Sequence, residues 1–199
     1  MRMRLSALDV IGQERKILAN RREMESAGLW SKLINGVLQP RNPKHTFTFY
    51  TPQYLFIRSV SFCEDVAAEI EGRFDPGDLA RVLYMDFLEY VKKHNDPHLL
   101  YKQLNARDLS PATIKPYSTD EVYKGVNFEE MRGFEPVQTR LDHRQALKGE
   151  FLLRDMLEIY QDHHFTLESI LEIVYCNFVD DYRKGIIKKP IDKIVQYVL

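Results

Sequence analysis

At five places a proline follows a polar residue at the head of an amphipathic run: Thr51-Pro52, Asp75-Pro76, Asp96-Pro97, Ser110-Pro111 and Lys189-Pro190. Proline suits the first helical position, because its fixed φ matches a helix and its missing N–H would have no intrahelical partner there. A Thr, Asp or Ser just before it can accept a hydrogen bond from the next free amides. Such punctuation constrains the chain to a series of helices.

The stretches between these marks carry apolar stripes at helical spacing. Residues 51–71 place Tyr54, Leu55, Ile57, Val60, Phe62, Val66 and Ile70 on a wide face, with Gly72 as the stop. Asp75 caps a run whose Leu79, Val82, Leu83, Phe87, Leu88 and Val91 form a stripe, closed by Lys92, Lys93 and His94. Cations are favoured in that last turn by the helix dipole. Asp96-Pro97 opens a shorter helix to about Ala106. The spacing predicts a helix over 139–162 and another after Thr166, stopped by Gly185. Pro190 starts a last one with Ile191, Ile194, Val195 and Val198.

Two stretches read differently. His45-Thr46-Phe47-Thr48-Phe49-Tyr50 alternates as a strand does. No second stretch of that quality offers itself as a partner, so it is expected to be an extended connector. Residues 107–139 read as a long loop broken by prolines and glycines, with a capping-box pattern at Ser118-Thr119-Asp120-Glu121. No internal repeat, heptad run or low-complexity tract stands out. The expected fold is all-α: a single compact helical domain of about seven helices over 45–199, with at most one short strand. Residues 1–44 form an N-terminal helical arm packed on the main body.

With 199 residues, 44% of them hydrophobic, the chain can bury a sizeable core. Cys63 and Cys176 are too few for a disulfide framework and lack paired metal-ligand spacing. They read as buried free thiols. Neither a secretory h-region nor a long uncharged apolar run is present, which predicts a cytoplasmic protein with no membrane partner.

Charge is segregated. Residues 1–60 hold ten Lys/Arg against four Asp/Glu; residues 61–180 hold thirteen against twenty-three; residues 181–199 hold five against two. The acidic middle argues against a broad nucleic-acid surface, which needs many phosphate contacts from one basic face. The basic ends can pack against that middle, in the same chain or in a second copy.

Several clusters bear on chemistry. Asp162-His163-His164 spells the signature of two-metal phosphoesterases, but it ends a helix here rather than following a strand. Asp142-His143 reverses the His-Asp pair of helical metal phosphohydrolases. His94 and His98 have i, i+4 spacing, but Asn95-Asp96-Pro97 restarts the helix between them. A Gly-x-Ser-x-Gly elbow, a Glu-x-x-His pair and a glycine-rich phosphate loop are all missing from the sequence. These patterns predict no catalytic residue, no metal and no cofactor.

The strongest candidate for a partner surface is the basic N-terminal helix: Arg15, Lys16, Arg21 and Arg22, with Trp30 beyond them. The expected function is that of a non-enzymatic cytosolic adaptor or regulator acting through protein–protein contacts, as a homodimer or with an unidentified protein. One alternative is a nucleic-acid-associated regulator using the same basic helix. The other is a metal-dependent hydrolase drawing on Asp142, His143, Asp162, His163 and His164.

Overall fold

A computed structural model describes residues 5–25, 43–94, 96–107 and 133–199, with side chains of 21–25 excluded. The element order is α1 (Val10–Glu25), β1 (Lys44–Pro52), α2 (Gln53–Glu69), α3 (Pro76–His94), α4 (Pro97–Arg107), β2 (Phe134–Asp142), α5 (His143–Ile159), α6 (Leu167–Arg183) and α7 (Pro190–Val198). The structure is mostly helical, as expected, and it adds a small sheet.

That sheet corrects the all-α reading. His45–Tyr50 lies within a full strand, and its partner is the stretch Phe134–Asp142, expected to be loop and helix start. The two strands pair antiparallel from Lys44 opposite Asp142 to Pro52 opposite Phe134. Phe47 and Phe49 on one strand, and Val137, Thr139 and Leu141 on the other, are buried in alternation. Pro136 is tolerated because each strand of a two-stranded ribbon is an edge. The helix expected over 139–162 accordingly starts at His143.

The punctuation holds at most of the described marks, with local differences. The Asp75 carboxylate accepts from the Asp78 amide at 2.9 Å, and the Asp96 carboxylate accepts from the His98 and Leu99 amides at 2.9 and 3.1 Å. Thr166 caps α6 as expected, in a reciprocal pair with Ser169. Pro52 instead ends β1, and α2 follows it directly without a side-chain cap. Lys189 enters α7 in left-handed conformation, φ 49°. Where α2 stops, the left-handed residue is Glu71 rather than Gly72. The marks at Ser110-Pro111 and Ser118–Glu121 lie outside the described residues.

The architecture also repeats, which the sequence did not disclose. Strand, helix and helix occur twice: β1–α2–α3 and β2–α5–α6. Lys44 and Phe134, Gln53 and His143, and Glu69 and Ile159 stand at one constant separation; the second helices lag by one residue. Counterparts share burial: Phe47 with Val137, Ser59 with Gly149, Val66 with Met156, Leu79 with Ile170, Val82 with Ile173 and Tyr84 with Tyr175. Thr48 and Gln138 are counterparts and face each other across the ladder. A pseudo-twofold axis therefore passes between them.

The two units interlock. Helix α3 packs on the other unit's strand, β2, while α6 packs on β1. The third helices cross over in the same way, α4 onto α5 and α6, and α7 onto α2 and α3. Two tyrosines fasten the crossing. Tyr84 donates to the Gln145 carbonyl of α5 at 2.9 Å, and Tyr175 donates to the Ser59 hydroxyl of α2. At Gly149, the counterpart of Ser59, a Cβ would stand 2.2 Å from the Tyr84 hydroxyl. Gly77 is just as constrained: a Cβ there would meet the Gln138 carbonyl of β2 at 2.2 Å. One contiguous core joins both units. Cys63 and Cys176 are buried within it as reduced thiols, and burial pushes the Cys63 thiol up to about 12.

Candidate functional site

Two features gather polar chemistry. The first joins α1 to the body. Glu150, on α5, is 1% exposed. Its carboxylate accepts from the Val10 amide at 2.9 Å, the Ile11 amide at 2.7 Å and the Ser6 hydroxyl. Val10 and Ile11 open α1, so a side chain from a distant helix satisfies amides left free at its N-terminus, where the dipole also favours a negative charge. Asp9, at φ 46°, turns the chain into that helix.

One turn along α1, Glu14 reaches His143 at 2.7 Å, and His143 reaches His45 of β1 at 2.9 Å. The carboxylate fixes the tautomers. His143 Nε2–H donates to Glu14, and in the neutral ring Nδ1 then accepts from His45 Nε2–H. His45 is held below the usual histidine range, first by burial and then by its neighbour His143, while Glu150 acts in the opposite sense. A carboxylate that orients an imidazole is also the geometry of general-base chemistry. Here each member is spent on joining α1, α5 and β1.

The second feature is a groove of about 450 Å³ between α3, α4, α6 and the approach to α7. Its apolar floor comes in counterpart pairs: Leu83 with Val174 and Phe87 with Phe178. The groove therefore lies on the pseudo-twofold axis. Its rim carries Asp86, Tyr90, Gln103, Asn177 and Asp181, and among the described residues no lysine or arginine lines it. Asp86 accepts from the Tyr197 hydroxyl at 2.5 Å, and that bond pushes the tyrosine up to about 12.

The residues singled out in the sequence are dispersed. Asp142 caps α5 in a reciprocal pair with Gln145, and its neighbour His143 belongs to the acid–histidine chain. His163 is 2% exposed; its Nε2–H donates to the Leu153 carbonyl at 2.9 Å, and its Nδ1 accepts from the Phe165 amide at 3.2 Å. His164 lies against the Phe165 ring, and Asp162 is exposed. His94 bonds the Tyr90 carbonyl, whereas His98 bonds the Tyr160 hydroxyl. Among the described residues no three His, Cys, Asp or Glu side chains are placed to hold a metal ion.

Arg15 and Lys16 are exposed on α1, and Leu18, one turn beyond Glu14, is 46% exposed. Arg21 and Arg22 lie on the same helix, but their side chains and Trp30 fall outside the described residues. The groove went unread because its residues come from four distant segments. Only the i, i+3, i+4 step of Leu83, Asp86 and Phe87, matched by Val174, Asn177 and Phe178, hinted at it. No helix among the described residues is long and apolar enough to cross a membrane. Comparison with protein families, curated proteins and solved structures returns no match to this chain.

Proposed function

We propose that this chain is a non-enzymatic cytosolic protein that works through protein contacts, with the groove between α3, α4 and α6 as its contact surface. One observation carries the reading: an apolar floor shared by both units, ringed by polar side chains and two carboxylates. Concave sites with apolar linings and few polar groups are where proteins bind, and interfaces between units are common places for them. An acidic rim selects basic partners and suppresses acidic ones.

The test uses two defined amphipathic helical peptides, one of leucine and lysine and one of leucine and glutamate. Titration by NMR should shift signals of the groove residues with the lysine peptide and leave them unmoved with the glutamate peptide. Val174→Trp, which fills the groove from its half-buried wall, should abolish the response while preserving the circular dichroism spectrum. Binding that survives Val174→Trp, or no response to either peptide, would overturn the assignment.

A further inference from the structure

We infer that helix α7 is a displaceable wall of the groove, latched by the Tyr197–Asp86 hydrogen bond, which a basic partner must open to reach the Asp86 carboxylate. This names how the same groove is regulated and rests on the protein-contact reading.

The two third helices are counterparts in the fold but not in fastening. Helix α4 is capped by Asp96 and buries Leu100 and Leu104. Its Tyr101 ring stacks on Tyr160, at the end of α5, with centroids 3.8 Å apart, and Gln103 donates to the Tyr90 hydroxyl at 2.8 Å. Helix α7 has less. Among its residues Ile194 alone is buried; Ile191 and Val195 are half-buried, and Val198 faces solvent. It starts from Lys189, which holds φ 49° and supplies no side-chain cap. A left-handed backbone is unfavourable for a residue with a Cβ, so the entry to α7 is kept in place by contacts that α7 makes further on. Among the described residues, the side-chain hydrogen bond that ties α7 to the body is the one from Tyr197 to Asp86, at 2.5 Å.

Asp86 stands at the junction. It lines the groove from α3, and its carboxylate already receives the hydroxyl of α7. A bond from a hydroxyl to an ionised carboxylate is about twice as strong as one between neutral groups, whereas an ion pair at an exposed rim gains little. Tyr197 therefore competes for the charge that a basic partner would use. The linker adds a second coupling. Residues 184–189 join α6 to α7, with Gly185 at φ 69° and Lys189 at φ 49°, and Ile187 between them lines the groove. One segment is both a wall of the site and the tether of α7, so α7 cannot shift without reshaping the groove.

The test is a fluorescence titration of the labelled leucine–lysine helical peptide into the full chain, run beside native-state hydrogen exchange. Tyr197→Phe removes only the latching hydroxyl, and circular dichroism checks that the fold is kept. It should tighten peptide binding roughly fivefold and lower the protection of the α7 amides by a similar factor, because apparent affinity scales with the fraction of open molecules. Saturating peptide should likewise lower α7 protection in the parent while α4 keeps its own. In an Asp86→Asn background the gain from Tyr197→Phe should shrink, since the latch there is a weaker neutral bond and the partner's carboxylate is gone. A peptide that binds the parent and Tyr197→Phe equally, with α7 protection unmoved, would overturn the latch and leave the groove reading standing. Weaker binding by Tyr197→Phe would do the same, by showing that the hydroxyl positions Asp86 for the partner. An undiminished gain in the Asp86→Asn background would also remove the latch. If neither form binds the peptide, the groove reading and the latch fall together.

Discussion

Glu150 shows how one side chain can fix an otherwise weakly amphipathic helix. Helix α1 has little apolar stripe of its own, yet three donors converge on a single buried carboxylate. Removing an acceptor from buried donors costs their desolvation without return. Glu150→Ala is therefore expected to destabilise the protein by about 2 kcal/mol or more, seen as a lower midpoint in urea. Exchange protection should fall first at the α1 amides. Gly149 makes a second residue-scale case. Gly149→Ala should cost about 1–3 kcal/mol through overpacking against the Tyr84 hydroxyl and Leu167 Cδ1, and Tyr84→Phe should recover the hydroxyl's share of that loss in the double variant. A clash with Leu167 alone would leave the double variant no better than the single. Neither residue announces its role in the sequence. Glu150 sits 140 positions from the amide of Val10, and local pattern carries no information at that range.

Among the elements, helices were legible because burial of one face imprints a period near 3.6 on the residues, and the stripes of α3 and α6 are strong. Strand β2 was not legible. Its inward positions hold Val137, Thr139 and Leu141, so a polar threonine interrupts the alternation, and Pro136 argues against pairing. The buried Thr139 hydroxyl is satisfied by donating to the Gly77 carbonyl at 2.7 Å, a bond only the tertiary fold supplies. Acid sensitivity also belongs to this scale. His45 and His163 are both held below the usual histidine range by burial, so the unfolded chain binds protons more readily than the folded one. Their contribution is complete above pH ~6.5 and is lost as pH falls through the lowered folded values. At His45 the facing groups are His143, Glu14 through it, and Glu150. Melting temperature should decline from pH 7 to 5, and His45→Gln should flatten that decline. An unchanged slope would show that the β1–α5 junction does not take up the proton.

For the whole molecule, the crossing of the units decides cooperativity. Each unit's second and third helices rest on the other unit, so neither can open while its neighbour stays intact. Unfolding followed by far-ultraviolet dichroism and by tyrosine fluorescence should give one coincident transition. Tyr84→Ala and Tyr175→Ala should each lower it as a whole rather than split it in two; two separate transitions would refute the interlock. The duplication itself was hidden from the sequence because most counterparts conserve burial and not identity: Phe47 answers Val137, and Ser59 answers Gly149, while identical pairs such as Tyr84 with Tyr175 and Phe87 with Phe178 are few. The lag of one residue between first and second helices further breaks any fixed period.

The thiols buried in this core give the interlock a practical consequence. A thiolate is the species that alkylating reagents attack, and at Cys63 it forms only with difficulty in the native protein. Cys63 and Cys176 thus act as a paired internal clock, one sulfur on α2 and one on α6. If both are modified at the same rate under native conditions, that rate measures how often the entire body comes apart.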